Sequence, residues 1–403
     1  MKVRKTIIFL LATALCAASC IYPFSAELEG EEGTLVIEGD ILIGETTTVK
    51  LSYSSAISSK RAIECPSSAS VWVEDDSGTT YQGTLIGRNE IKDHRKSSYV
   101  AYSVDLTAAD PSRKYRLCVI NNDNSREYAS TWQRVCAPPQ IDSLSYVVDR
   151  KKETVNIALS MHSSKESYFR WTYVEDWEYH AYYHADCYYT PPDMRHTWKW
   201  TPALGYGTIE FYEYPENTYY CWDHDESSRI MIFSTEKQTE DRFVDLEFLP
   251  IDRTSEKISY IYHIEVNLEP ITRDAYLYWD TVQTNSEYNG SLFSPNPSEY
   301  VGNIRCQQDT TEFVLGYISA AQRANKKYFL YASDHRYYKN PDVYLAQSET
   351  LTEDQWYEYY QNGYLPYGTA LPDDVTSSYW ARKRCVDCRL KGGTQERPSF
   401  WVN

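Results

Sequence analysis

Short runs of alternating apolar and polar residues constrain the fold of this chain more than any other feature, and they follow one another from residue 34 to residue 137. In "TTVKLSYSSAI", for example, Val49, Leu51 and Tyr53 alternate with polar residues. About seven such runs are separated by turn residues, which is typical of an antiparallel sandwich. The pattern predicts a mainly β protein that begins with an immunoglobulin-like antiparallel β-sandwich over residues 34–137.

A larger β-rich domain is predicted from residue 138 to residue 403. Pro138 and Pro139 mark its start, because proline lacks the N–H that a central strand requires. Later runs such as "KISYIYHIEVNL" again indicate strands. Two segments show helical spacing instead, one near residues 271–283 and one near residues 352–362. The second begins with Thr352 and Gln355, the residue types of a capping box.

The first 19 residues have the form of a secretory signal peptide. Basic residues precede an apolar run that is too short to span a bilayer, which requires about 20 residues. Small residues then lead to Cys20, as in bacterial lipoprotein signals. We therefore expect a lipid on Cys20, followed by an acidic tether over residues 20–33. The alternative is ordinary cleavage after small residues, which would leave Cys20 as a further extracellular thiol.

The chain is strongly acidic, with a formal net charge of −17 at pH 7. Such a chain is repelled by phosphate backbones and gains no counterion release from them, so we expect no nucleic-acid partner. No stretch after the signal peptide has the length and apolarity of a membrane span. We expect contact with the membrane through the N-terminal lipid.

Eight cysteines follow Cys20, and two of them form the close pair Cys385 and Cys388. An even number of cysteines in an exported chain favours disulfide bonds. A zinc site would require a second close pair. A redox centre would require a helix start at this point, where Gly392 and Gly393 soon follow instead. We predict that Cys385 and Cys388 are oxidised and structural, bonded within the pair or to other cysteines.

Residues 168–222 contain 19 aromatic residues among 55, whereas aromatic residues make up 15% of the chain. Aromatic faces stack on planar ligands, so this segment is a candidate ligand or partner surface. The alternative is that its rings pack a second core around a disulfide such as Cys187–Cys221. The residues chosen for the candidate surface are Trp171, Trp177, Tyr179, Trp198, Trp200 and Trp222.

The sequence shows no familiar motif for catalysis or for a cofactor. It lacks both a Gly-x-Ser-x-Gly elbow and a glycine-rich phosphate loop. His180 and His184 are spaced like metalloprotease ligands, but Ala181 stands where the catalytic glutamate would be, so we predict no metal site. Glycoside hydrolysis needs only two carboxylates, and Glu175 and Asp176 would be the candidates. We expect no catalytic residues and no cofactor.

Several stretches, in their order along the chain, resemble one known family. They include "LVIEGDI", "RWTYVEDWEY", "GSLFSPNPSEYVGNI", "EFVLGYISA" and the terminal "CVDCR" with its Gly-Gly pair. Together they are similar to the Bacteroidota lipoprotein family known as domain of unknown function 4249, over nearly the whole chain after the signal peptide. The resemblance implies an outer-membrane or cell-surface lipoprotein beside a TonB-dependent transporter. It also implies that the terminal Cys-x-x-Cys segment belongs to the family's architecture, and it brings no assigned reaction.

Two classes of function follow from these observations. We expect a non-enzymatic accessory that is anchored in the outer membrane, docks on a TonB-dependent transporter and binds the ligand of that transporter. The alternative is a surface hydrolase of glycans or peptides, with its site in the aromatic segment. A structural subunit of an envelope complex is a further possibility.

Overall fold

The computed structural model describes residues 33–54, 64–89, 98–192, 206–212, 218–288, 302–371 and 374–401. Cys20 and most of the predicted tether lie outside these residues. The described chain consists mainly of antiparallel strands with four short α-helices, which confirms the predicted mainly β fold. None of the described helices is long and apolar enough to cross a membrane.

Nine strands open the described chain and form the greater part of a sandwich. They are β1 Leu35–Glu38, β2 Ile41–Leu42, β3 Thr46–Tyr53, β4 Ala69–Asp75, β5 Thr80–Asn89, β6 Tyr99–Asp105, β7 Lys114–Asn121, β8 Arg126–Ser130 and β9 Gln133–Arg134. One half pairs in the order β1-β3-β6-β5 and the other in the order β4-β7-β8, and β5 also pairs with β4. This is the strand arrangement of an immunoglobulin domain, and it agrees with the predicted immunoglobulin-like sandwich, although the order of the strands was not predicted.

Tyr115 shows how the sandwich satisfies a buried polar group. The residue lies at the start of β7 and is fully buried. Its hydroxyl donates to the carbonyl oxygen of Asp110, five residues upstream, at 2.8 Å. The same contact, known as a tyrosine corner, occurs at this place in immunoglobulin domains. It satisfies a hydroxyl that burial would otherwise leave unpaired.

The next nine strands form a second unit of two packed sheets and one separate strand pair. They are β10 Gln140–Asp149, β11 Thr154–His162, β12 Tyr168–His180, β13 Cys187–Thr190, β14 Thr208–Phe211, β15 Tyr220–Glu226, β16 Met231–Ser234, β17 Arg242–Asp252 and β18 Ile261–Pro270. One sheet has the order β10-β11-β17, and the other has the order β15-β12-β18, with β16 also paired to β12. Apolar side chains from both sheets share one core, while β13 pairs with β14.

After β18 the chain returns to the sandwich. Helix α1 (Arg273–Tyr288) is followed by β19 (Ile304–Cys306), which pairs with β8, and by β20 (Ala320–Ala321), which pairs in parallel with β2. Five side chains of this segment are buried in the sandwich core, namely those of Ile304, Cys306, Val314, Ile318 and Ala320. The first domain therefore includes residues well beyond 137, where the sequence placed its end.

Gly316 permits the closest approach in this returning segment. Its φ is +136°, and a Cβ atom there would lie 2.1 Å from the carbonyl oxygen of Ile37. The neighbouring residue Leu315 exchanges backbone hydrogen bonds of 2.9 Å with Leu35 and Ile37. Because only glycine tolerates both the dihedral angle and the contact, Gly316 allows the segment to cover the edge of β1.

The remaining chain adds one edge strand and a small C-terminal sheet. Strand β21 (Ala324–Tyr331) pairs with β18, and helix α2 (Ala332–His335) follows it. The small sheet has the order β22-β24-β23 and is accompanied by α3 and α4; these elements are β22 Glu349–Thr352, α3 Glu353–Gln361, β23 Tyr364–Leu371, β24 Asp374–Arg382 and α4 Lys383–Val386.

Helices α1 and α3 confirm the two helices predicted near residues 271–283 and 352–362. At the start of α3, the side-chain oxygen of Gln355 accepts a hydrogen bond of 3.1 Å from the backbone N–H of Thr352. This contact is one half of the predicted capping box. It satisfies a backbone donor that has no partner inside the helix.

One disulfide joins the C-terminal segment to the second unit. It links Cys221 of β15 to Cys388, which begins a 3-10 helix, and the two residues are 167 positions apart. The prediction that Cys388 is oxidised is confirmed. The prediction for Cys385 is wrong, because its thiol is buried and unbonded, and burial raises its pKa. The suggested Cys187–Cys221 bond is also absent, since Cys187 is a free, buried thiol.

The pairing follows from the path of the C-terminal segment. The backbone N–H of Cys388 donates to the carbonyl oxygen of Thr218 at 2.9 Å, and Trp222 and Thr394 exchange two backbone hydrogen bonds. These contacts set the segment along β15 and bring Cys388 beside Cys221. Cys388 therefore bonds to Cys221, which the fold brings close to it, and not to Cys385, which is close to it in sequence.

Candidate functional site

Four of the six aromatic residues proposed as a ligand surface are buried, so this prediction is wrong for them. Trp171, Trp177 and Tyr179 pack in the core between the two sheets of the second unit. Trp171, for instance, stacks on the ring of Phe233 with 3.6 Å between the ring centroids. Trp222 is buried on the other side, beneath the C-terminal segment. The remaining two, Trp198 and Trp200, lie outside the described residues.

A cleft of about 790 Å³ lies between the sandwich and the second unit. Its first wall comes from β1, β3 and residues 315–317, and its second wall comes from β12, β16 and helix α1. Small-molecule sites have volumes of about 300–1,000 Å³ and occur preferentially where domains meet. Side chains of both walls face the cleft, among them Thr47, Lys50, Arg170, Met231, Tyr278 and Trp279.

A largely buried charge cluster connects the two walls. Arg170 of β12 donates through Nη2 to Asp40 in the loop after β1, and through the same atom to Glu269 Oε2 of β18 at 2.6 Å. The three side chains are 13%, 9% and 8% exposed, in the order Arg170, Asp40, Glu269. Asp40 also accepts a hydrogen bond of 3.1 Å from the backbone N–H of Ser319. One aspartate thus contacts the second unit and the returning segment.

The cluster contains two carboxylates and one guanidinium. Burial raises the pKa of Asp40 to about 6, although the neighbouring Arg170 acts in the opposite direction. Desolvation therefore outweighs the ion pair at this carboxyl. For Arg170, burial opposes the charged form, but the two carboxylates outweigh it and raise the pKa of the guanidinium.

Aromatic side chains of helix α1 complete the cleft. The guanidinium of Arg170 lies over the ring of Trp279, at 4.8 Å from its centroid. Tyr278 contacts the ring of Tyr317 on the sandwich side at 5.2 Å. The cleft can therefore offer apolar faces, hydroxyl groups and charged groups to one small molecule, in an arrangement that packing holds in place.

A second polar site lies on the outer face of the second unit, where three strands present side chains in one row. Asp176 of β12 is in register with His224 of β15 and His263 of β18. Its two carboxylate oxygens lie 2.8 Å from His224 Nδ1 and 3.2 Å from His263 Nδ1. Burial disfavours ionisation of Asp176, but the two histidines outweigh it and lower its pKa, and hydrogen bonding to Asp176 raises the pKa of His224.

Glu175 and Asp176, the carboxylates considered for glycoside hydrolysis, are not brought together. Adjacent residues of a strand point to opposite faces. Glu175 is buried on the core side, where Lys257 Nζ lies 2.6 Å away and the hydroxyl of Tyr262 donates to it at 2.7 Å. Asp176 instead faces His224 and His263. The two groups therefore lack the shared substrate space that a catalytic pair requires.

The two histidines considered for metal binding contact separate carboxylates. His180 Nε2 lies 2.9 Å from Glu178 Oε1, and His184 Nδ1 lies 3.4 Å from Asp186. The described part of the chain contains no group of three or more His, Cys, Asp and Glu side chains that could hold a metal ion.

Three tyrosines that were not chosen for the candidate surface lie together at the surface of the second unit. Tyr219, Tyr220 and Tyr260 surround the ring of His180, with centroids at 4.9, 4.8 and 4.1 Å. Tyr220 and Tyr260 are 42% and 46% exposed. Tyr260 lies outside the aromatic segment and reaches His180 only because β18 pairs with β12, so no signal within residues 168–222 identifies it.

The fold and the cleft define a class of two-unit β proteins in which an immunoglobulin-like sandwich, completed by a returning segment, packs against a second pair of sheets. The chain belongs to the family described as Domain of unknown function (DUF4249), whose model matches residues 21–327. The match to the family model ends within β21, whereas we expected the resemblance to cover nearly the whole chain after the signal peptide. The terminal Cys-x-x-Cys stretch lies outside it. Comparison with curated proteins finds no match.

Proposed function

We propose that this protein is a lipid-anchored, non-enzymatic accessory of a TonB-dependent outer-membrane transporter, and that it binds the ligand of that transporter in the cleft between its two units. The observation that carries the proposal is the cleft itself, with its volume of about 790 Å³ and its mixed aromatic and charged lining. Binding sites of this size commonly combine apolar walls with a few oriented polar groups.

The charges in the cleft favour binding over catalysis. Asp40 and Glu269 share the guanidinium of Arg170. Both carboxylates are engaged by the same guanidinium, whereas a general acid and base must be free to exchange protons with a substrate. This arrangement supports an accessory role over the hydrolase alternative.

The anchor part of the proposal rests on Cys20. The tether of about 14 residues would have an r.m.s. span of roughly 20 Å, enough for the globular part to reach a neighbouring membrane protein. We expect Cys20→Ala to accumulate as a precursor that is not labelled by palmitate, because the acylated thiol is lost. Palmitate labelling and normal membrane retention of Cys20→Ala would contradict lipidation at this residue.

The binding part can be tested with two variants of helix α1. Val282 lines the cleft, whereas Leu277 is 44% exposed on the same helix and does not line it. We expect wild type and Leu277→Arg, purified from detergent-solubilised outer membranes, to carry a small molecule that native mass spectrometry detects. Val282→Arg should lose that molecule while retaining its melting temperature, because the new charged side chain occupies the cleft.

The same purification tests the partner. We expect a TonB-dependent transporter to co-purify in stoichiometric amount with wild type. Retention of the small molecule by Val282→Arg would contradict the cleft as the binding site. If no transporter co-purifies, the accessory role is wrong and a structural subunit of an envelope complex becomes the better explanation.

A further inference from the structure

The last described residues lie across the outer face of the second unit, next to the row formed by His224, Asp176 and His263. Trp401 is 6% exposed there, whereas the adjacent Phe400 is 42% exposed. The indole N–H of Trp401 donates to Oε2 of Glu178, a buried carboxylate on β12, at 2.9 Å. Trp401 is thus a buried side chain in a segment that otherwise lies mostly at the surface.

The side chains around Trp401 have the features of an aromatic-binding pocket that Trp401 itself fills. Its rim is formed by Phe329 and His263, whose ring centroids lie 5.8 and 6.4 Å from that of Trp401. His263 also contacts the ring of Phe400 at 4.7 Å. A carboxylate acceptor at the base and aromatic rings at the sides fit an indole, which has one N–H donor and a large apolar body.

The segment itself is weakly attached. Thr394 pairs with Trp222 through two backbone hydrogen bonds. From residue 395 to residue 401, the backbone N–H groups of the described chain form hydrogen bonds only within the segment, as from Trp401 to the carbonyl oxygen of Pro398 at 3.0 Å. Segments with few such contacts open at low free-energy cost. After Thr394, the segment is therefore attached to the sheet through side chains, namely Trp401 on Glu178 and Phe400 beside His263 and Lys327.

Release of Trp401 would leave no buried charge without a partner. Glu178 keeps its contact with His180, whose Nε2 lies 2.9 Å from Oε1, because Trp401 uses the other carboxylate oxygen. A buried carboxylate that lost its only partner would oppose opening strongly. Glu178 therefore keeps a hydrogen-bonding partner whether Trp401 occupies the pocket or is released. In this respect the site differs from ordinary core packing.

We infer that the pocket formed by Glu178, His263 and Phe329 is a recognition site for an aromatic peptide segment of a partner protein, and that residues 398–401 of this chain occupy it as an internal ligand. The partner segment would present a tryptophan whose indole N–H reaches Glu178, preceded by an aromatic residue at the position of Phe400. The inference concerns a different surface from the cleft and does not depend on what the cleft binds.

The test uses the full chain with its own side chains removed from the pocket. In Phe400→Ala/Trp401→Ala, a fluorescein-labelled peptide Pro-Ser-Phe-Trp-amide should bind saturably in a fluorescence anisotropy titration. Wild type should bind it at least about tenfold more weakly, because its own segment competes at an effective concentration on the order of millimolar. The control peptide Pro-Ser-Phe-Ala-amide should bind neither protein.

The contribution of Glu178 is tested in the same background. Adding Glu178→Gln to the double variant should weaken peptide binding by about tenfold or more, since a hydrogen bond to a charged acceptor becomes one to a neutral acceptor. Should the double variant fail to fold, Trp401→Phe keeps an aromatic side chain but removes the indole N–H, and it should bind the labelled peptide more tightly than wild type.

Three results would overturn the inference. They are a folded double variant that does not bind the peptide, wild type that binds it as tightly as the double variant, and a Glu178→Gln substitution without effect on binding. If only Trp401→Phe can be studied, the absence of any gain over wild type has the same meaning.

Discussion

Substitutions in the charge cluster that joins the two units should have unequal effects on stability. Arg170→Met leaves Asp40 and Glu269 as two buried carboxylates without their cation, and it should lower the free energy of unfolding by about 3–5 kcal/mol at neutral pH. Asp40→Asn leaves Arg170 and Glu269 as a balanced pair, and its amide oxygen can still accept the hydrogen bond from Ser319. We expect Asp40→Asn to cost about 1 kcal/mol or less at neutral pH.

The pH dependence of the Asp40→Asn effect distinguishes this cluster from an ordinary salt bridge. Burial raises the pKa of Asp40 from 3.8 to about 6 in the folded protein. The folded state therefore binds a proton more tightly than the unfolded state, so Asp40 contributes stability at low pH that is lost as the pH rises from about 4 to about 6. The difference in pKa corresponds to at most about 3 kcal/mol.

Asparagine does not titrate, so the stability of Asp40→Asn relative to wild type should increase by up to about 3 kcal/mol between about pH 4 and about pH 7. Urea unfolding followed by circular dichroism measures this difference. Arg113→Met is the control, because Arg113 is half-exposed and lies 3.8 Å from Asp76, an arrangement worth little stability. A difference between Asp40→Asn and wild type that does not vary with pH, or equal costs for Asp40→Asn and Arg170→Met, would refute the reasoning.

Three further outcomes are expected. Cys388→Ala should lower stability by about 2–5 kcal/mol because the disulfide is lost, whereas Cys385→Ala should cost less, and thermal melts with and without reductant separate the two cases. Asp176→Asn should shift the pKa of His224 down toward its ordinary value, as followed by NMR titration of the imidazole; an unchanged pKa would contradict the hydrogen bond as its cause. Trp171→Ala should cost about 3–5 kcal/mol in urea unfolding, as expected of a core aromatic residue, and a cost near zero would restore it as a surface residue.

Local sequence patterns were sufficient to predict the sandwich. Val49 and Leu51 alternate with polar residues and are buried in its core, and the strands they belong to pair as an immunoglobulin-like fold requires. The returning segment could not be found in this way. Strand β20 has two residues, and its pairing with β2 depends on contacts between distant parts of the chain rather than on a pattern of its own.

The aromatic strand β12 illustrates a second limit. Its alternation places Glu175 and Trp177 on one face and Asp176 on the other, and this much can be read from the sequence. The packing of β10, β11 and β17 decides which of the two faces another sheet covers. The sequence therefore left open whether the aromatic side chains of β12 lie in the core or at the surface. The cleft was not predicted either, since its charge cluster joins Arg170 to Asp40, 130 positions apart.

The return of the chain to the sandwich has a consequence for the order in which the protein folds as it is synthesised. Ser319 and Asp40, which the native fold joins by a hydrogen bond, are 279 positions apart. Contacts of such high sequence separation form slowly because a long loop must close first. A chain that emerges from the ribosome from its N-terminus presents β1 with an unpaired edge until most of its length has been made, and unpaired edges promote aggregation. The N-terminal sandwich should thus remain prone to aggregation until residues 304–320 arrive to complete it.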